Sequence, residues 1–152
     1  MIRIVCVGNR LIPGDDLGPR VFDHLTRHPL PESVEVIDGG LQGLDLLRYF
    51  EGIDRVVIVD ALRGFGPEKK VLVLDGMEAV RTMDVAYSHA NGLAFLLKML
   101  PHVLEHGLPE IVLVGGEGRV TASRVKTVAQ TSLRVALEHT VRRRESVDGR
   151  HS

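Results

Sequence analysis

Four β-branched residues in a row, Val56-Val57-Ile58-Val59, run directly into an aspartate, Asp60. A strand that is apolar on both faces has no side left for water, so it belongs inside a sheet covered above and below. That requirement favours a layered α/β arrangement over an open sheet with one wet face. It also singles out Asp60, because a carboxylate at the end of a buried strand is costly to place unless something pairs with it.

The rest of the chain supplies the layers. Ile2 to Val7 reads as a first buried strand ending at Gly8-Asn9. Leu17, Val21 and Leu25, widened by Phe22, recur at helical spacing and predict a helix to about His28, stopped by Pro29. Val34 to Ile37 is a second strand, broken by Asp38-Gly39-Gly40, and Leu44, Leu47 and Phe50 give the core face of a second helix ending near Gly52. Val71 to Leu74 predicts a fourth strand, and its closeness to the third suggests an antiparallel hairpin with it. Residues 77–90 read mostly as loop. Leu93, Leu96, Leu97 and Leu100 then mark a helix, and Ile111 to Val114 a buried strand. Val125, Ala129, Leu133, Leu137 and Val141 mark a last helix starting near Thr121, with a tail expected to fray from residue 142. The expected fold is a single three-layer α/β domain over residues 1–152, a mainly parallel twisted sheet of about five strands with helices on both faces.

Charge and cysteine content narrow the function classes. With 19 basic and 20 acidic residues the net charge is -1, so neither a nucleic-acid nor a membrane-surface partner held by charge is expected. No run reaches the ~20 apolar residues of a membrane span. The N-terminal apolar run is too short for a signal-peptide core, and the lone Cys6 can form no internal bridge, so a cytoplasmic setting is expected. Cys6 lies inside the first strand and reads as a buried, inert thiol.

In open parallel sheets ligands sit beyond the carboxyl ends of the strands, so the residues just past each run are the candidates. Asp15 and Asp16 follow the first strand, Asp38-Gly39-Gly40 the second and Asp60 the third, and Ser88-His89 leads into the Leu93 helix. Two carboxylates and an imidazole brought to one edge would suit a borderline divalent ion such as zinc, nickel or cadmium. Each residue also has a plainer role. Asp16 can be a helix N-cap, Asp38 a turn residue and His89 an ordinary hydrogen-bonded histidine.

Taken in order, Gly8-Asn9 with Gly14-Asp15-Asp16 and Gly18-Pro19, then Asp38-Gly39-Gly40 with Gly43, then Val59-Asp60-Ala61, then Ser88-His89, resemble the nickel-iron hydrogenase maturation endopeptidases. The resemblance runs from about Ile2 to Gly115. It implies an endopeptidase that removes the C-terminal extension of a nickel-loaded hydrogenase large-subunit precursor, working as a monomer. It further implies that Asp15, Asp60 and His89 act together as catalytic and metal-contacting residues, and it marks Asp38, Gly39 and Gly40 for the substrate. The nickel would arrive with the substrate, and zinc or cadmium would substitute for it. The first loop departs from the family pattern: an extra residue precedes Gly14, and the glycine after the acid pair is absent. Spacing from Asn9 to Gly18 is kept, which puts Asp15 at the ligand position, whereas a loop slipped by one would hand that role to Asp16. The segment after the last strand, Gly115-Gly116-Glu117-Gly118-Arg119, is shorter than in many members.

Other classes compete. A receiver-like phosphoacceptor domain also places an aspartate at the end of strand three, but it needs its acid pair directly after strand one and a lysine closing strand five, where this chain has Val114-Gly115-Gly116. A non-catalytic metal-binding chaperone would use the same Asp15, Asp60 and His89. Gly115-Gly116-Glu117-Gly118 matches no phosphate-loop spacing and reads as a tight turn. His102-Val103-Leu104-Glu105-His106 spells an inverted zinc-peptidase motif, but Pro101 and Gly107 box it into too short a helix.

Overall fold

In the computed structural model the apolar runs become strands β1 (Ile2–Val7), β2 (Val34–Gly40), β3 (Arg55–Leu62), β4 (Val71–Asp75) and β5 (Glu110–Glu117). Helices α1 (Leu17–Thr26), α2 (Gly92–Val103) and α3 (Ala122–Arg150) cover them, with a 3-10 helix at Leu44–Tyr49. The structure describes residues 1–41, 44–63, 71–76, 78–81 and 92–150, the last twelve of these in backbone only.

The sheet order is β2-β1-β3-β5-β4, with β2, β1, β3 and β5 parallel and β4 antiparallel to β5. Side chains alternate across a strand, so the Val56–Val59 run divides between two cores. Val56 and Ile58 pack with Leu46 of the 3-10 helix, with Phe50 just beyond it, and with Leu93, Leu96 and Leu100 of α2. Val57 and Val59 pack on the other face with Leu17 and Val21 of α1 and Val125 and Val128 of α3. All four are fully buried, at about 1.5–3 kcal/mol of transfer free energy each.

Five expectations change. Asp38-Gly39-Gly40 do not break the second strand; they are its last three residues, Asp38 paired with Cys6 and Gly40 with Val7 of β1. The fourth strand is antiparallel, but it pairs with β5 and not with β3. A β3–β4 hairpin would leave β5, buried from Ile111 to Gly116, on the outside, whereas β4 has half-exposed residues suited to an edge. The second helix is 3-10, not α, and the inward residues are Leu46 and, just beyond the helix, Phe50, with Leu47 half-buried. The face of α3 is Val125, Val128, Ala129, Ser132, Val135 and Ala136, while Leu137 is 38% exposed. Small residues let this helix lie close to its neighbours, and Ser132 satisfies its hydroxyl by donating to the Val128 carbonyl at 2.7 Å. Finally, Gly115 and Gly116 are strand, not turn. A Cβ on Gly115 would meet Leu62 Cδ1 at 2.0 Å, so close packing selects glycine there, and the turn falls to Gly118 at φ +93°.

Candidate active site

With β2 on one side of β1 and β3 on the other, the chain reverses direction across the sheet at β1, and loops leaving the carboxyl ends of β1 and β3 part to leave a crevice. Both sequence-predicted carboxylates are there. Asp60 is buried two residues before the end of β3, its Oδ1 accepting the Ala61 N–H at 2.8 Å. Burial first, and then the negative charge of Asp15, push its carboxyl well above the ordinary value, against the pull of the Ala61 N–H. That electrostatic contact ties the first loop to the third strand.

Asp15 is held by the turn that Asn9 organises. The Asn9 N–H donates to both the carbonyl of Asp15, at 3.0 Å, and its Oδ2, at 3.1 Å. Asn9 Oδ1 accepts the Leu11 N–H at 2.9 Å, and the Asp15 N–H closes on Ile12 at 3.0 Å. Gly8 makes this closure feasible: at φ +147°, it approaches so near that an added Cβ would lie 2.2 Å from the Asp15 carbonyl oxygen. Arg10 then clamps the loop, donating to Asp23 at 2.8 and 3.0 Å and to Asp38 at 2.9 Å.

Asp16 sits at the N-cap position of α1 yet makes no side-chain cap bond. Its backbone, at φ -98° and ψ 11°, is outside the extended region from which a cap reaches the next N–H groups. Its Oδ1 is buried without a hydrogen-bond partner among the described residues. The capping role expected for Asp16 is therefore absent. Asp15, not Asp16, is the acid whose charge acts on Asp60.

Asp38, Gly39 and Gly40 border the same edge and brace it. Asp38 Oδ1 accepts the Gly40 N–H at 3.3 Å, and the Gly40 carbonyl accepts the Gly8 N–H at 2.8 Å. Sequence pattern gave no signal for the Arg10 clamp, because its partners lie 13 and 28 residues away with no periodicity. His89, Ser88 and Gly43 lie outside the described residues, and among those described no group of three or more His, Cys, Asp or Glu is placed to hold a metal ion.

Cys6 is buried in β1, and its thiol is pushed far up by burial first and by Asp38 and Asp23 next, which suits the inert reading. The inverted zinc-peptidase motif does not form. α2 stops at Val103, and the Glu51 carboxylate accepts the N–H groups of Glu105 and His106 at 3.3 and 3.0 Å in the turn beyond.

Residues 19–144 match the family model described as hydrogenase maturation protease. The chain belongs to that family. The matched stretch contains Asp38, Asp60 and His89 and begins just after Asp15 and Asp16. Among relatives, hydrogenase expression/formation protein HupD of Bradyrhizobium diazoefficiens is 36% identical over 49% of this chain and 40% of its own length. The hydrogenase 2 maturation protease of Escherichia coli is 30% identical over 73% of this chain and 60% of its own. The chain thus spans about half the length of the curated relatives it matches. The fold agrees with that of the hydrogenase maturating endopeptidase HybD from Escherichia coli, with a TM-score of 0.70 over 95% of this chain and 93% of that one, at 24% identity. A solution structure of an endopeptidase from Escherichia coli likewise has a TM-score of 0.70 over 90% of both chains at 25% identity. Membership in the hydrogenase maturation protease family replaces the receiver-like alternative.

Proposed function

We propose that this hydrogenase maturation protease family member is an endopeptidase that removes the C-terminal extension of a nickel-loaded hydrogenase large-subunit precursor, acting as a monomer in the cytoplasm. The observation that carries the reading is the Asp15–Asp60 pair: two carboxyl groups in electrostatic contact at the strand-order reversal, one of them buried. Two acids so placed repel, and a divalent cation arriving between them removes the repulsion. Nickel held by the substrate would complete its coordination on Asp15, Asp60 and His89, so that a metal-loaded precursor docks in register and an empty one does not. Zinc or cadmium, with similar ligand preferences, would occupy the same oxygen and nitrogen set. Asp38, Gly39 and Gly40, at the neighbouring strand end, would border the incoming peptide.

In this mechanism Asp15 and Asp60 hold and orient the substrate's ion, while the Asn9 turn and the Ala61 N–H keep the carboxylates in place. Once bound, the ion supplies Lewis acidity to the scissile carbonyl or to water. Replacing Asp60 or His89 by Ala should abolish processing of the nickel-loaded precursor while leaving the melting transition cooperative. Full-rate processing by either variant would remove that residue from the mechanism. A metal-binding chaperone differs in outcome, since it would bind the loaded precursor through the same residues and leave its mass unchanged.

A further inference from the structure

Next to the carboxylate pair lies a second concavity of about 330 Å³, lined by Gly14, Ala61, Leu62, Arg63, Glu117 and Gly118. Its floor is the last paired step of β3 and β5, where Leu62 is opposite Glu117. Gly14 adjoins Asp15 in sequence and Ala61 adjoins Asp60, so both walls start one residue from the proposed metal contacts. Gly14 and Gly118, at φ +88° and +93°, present bare backbone. Among the described residues, a Cβ on Gly14 would have only Arg63 Nη2 nearby, at 3.7 Å.

Arg63 is exposed and makes no hydrogen bond or ion pair among the described residues. Of the other arginines at this end of the sheet, Arg10 is committed to Asp23 and Asp38 and Arg124 to the Glu117 carbonyl, while the exposed side chain of Arg119, next to Gly118, is like Arg63 without a hydrogen bond or ion pair among the described residues but does not line the cleft. A guanidinium on the wall of a small cleft, with its fork of donors unspent, selects a planar, doubly accepting anion, and in a peptide that is a carboxylate. The cleft volume falls at the lower end of ligand-site sizes, enough for a short stretch of chain and not for a folded domain.

We propose that this cleft receives the part of the precursor's C-terminal extension next to the cleavage point, and that Arg63 is a specificity-determining residue pairing with a carboxylate on it. The inference rests on the protease reading above. The carboxylate is either an acidic side chain of the extension or its terminal carboxylate.

The test is binding of a fluorescein-labelled synthetic peptide that copies the extension, followed by anisotropy with the full-length protein and with R63A. The result expected is about tenfold weaker binding to R63A, as for loss of one charge-assisted hydrogen-bonded pair. Amidating the peptide's C-terminus, or changing its Asp and Glu to Asn and Gln, names the source, according to which change abolishes the difference between the two proteins. Equal binding by R63A, or a difference that persists on a peptide lacking both kinds of carboxylate, overturns the proposal. Processing of the intact precursor is measured in parallel. A raised KM with unchanged kcat in R63A supports the role, whereas unchanged KM strikes Arg63 alone. Tenfold-weaker peptide binding to R63A, with no processing by the unsubstituted protein, strikes the protease reading and leaves the carboxylate contact standing.

Discussion

Replacing Asp60 by Asn keeps the shape of the buried side chain and removes its ability to ionise. In the folded chain, burial and the charge of Asp15 keep Asp60 protonated above its ordinary range. The unfolded chain releases that proton near an ordinary aspartate value of about 3.9. Between the two values the folded state binds more protons, so native stability falls as pH rises through that window and levels off above the folded value. One proton accounts for about 1.4 kcal/mol per pH unit inside the window. For a chain of this length that corresponds to roughly 3–6 °C in melting temperature per pH unit. Asp60→Asn escapes this penalty. Thermal melts by circular dichroism from pH 4 upward should show the variant gaining on the parent protein by that increment per unit, then holding a constant lead. Asp15→Asn, by removing the second cause of the shift, should end the window at a lower pH. A difference between D60N and its parent that is flat across pH, or that shrinks as pH rises, would refute the coupled-carboxylate account.

Gly18→Ala should destabilise by at least about 1–3 kcal/mol, because the new Cβ would lie 2.1 Å from the Val7 carbonyl oxygen; urea unfolding measures it. Arg55→Ala should cost about 3 kcal/mol in the same assay, since Arg55 is buried and donates to Glu110 at 2.9 and 3.2 Å and to the Ala136 carbonyl at 2.8 Å. Arg10→Ala should cost under about 1 kcal/mol, as its ion pairs are solvent-exposed, yet speed amide hydrogen exchange at residues 11–15 of the loop it clamps. Substituting both His102 and His106 by Ala should leave processing at the parental rate, and a loss would revive the motif the fold breaks.

How much of this was readable in the chain depends on whether the signal was local. The Val56–Val59 run is a local statement about burial on two faces, and it placed β3 inside the sheet and Asp60 near its end, though the strand runs on to Leu62. Leu17, Val21 and Leu25 likewise gave α1. Strand order was less legible: Val71 to Leu74 showed a strand, but its partner was decided by which strand could tolerate an edge, a comparison between segments far apart in the chain. On α3 the reading found Val125 and Ala129 but missed Ser132 and Ala136, because small residues do the packing where a search for large apolar ones finds Leu137. At the site, acids past strand ends were visible, and so was the likeness to a family. Which acid of the pair faces Asp60 depended on how the Asn9 turn closes, and the Arg10 clamp joins positions that no spacing rule connects.

Intact-mass spectrometry of the hydrogenase large-subunit precursor after incubation with this protein tests the central claim most directly. The account predicts that the nickel-loaded precursor shortens by the mass of its C-terminal extension while the nickel-free precursor keeps its full mass. An authentic nickel-loaded precursor that keeps its full mass, or equal shortening of both forms, would contradict it.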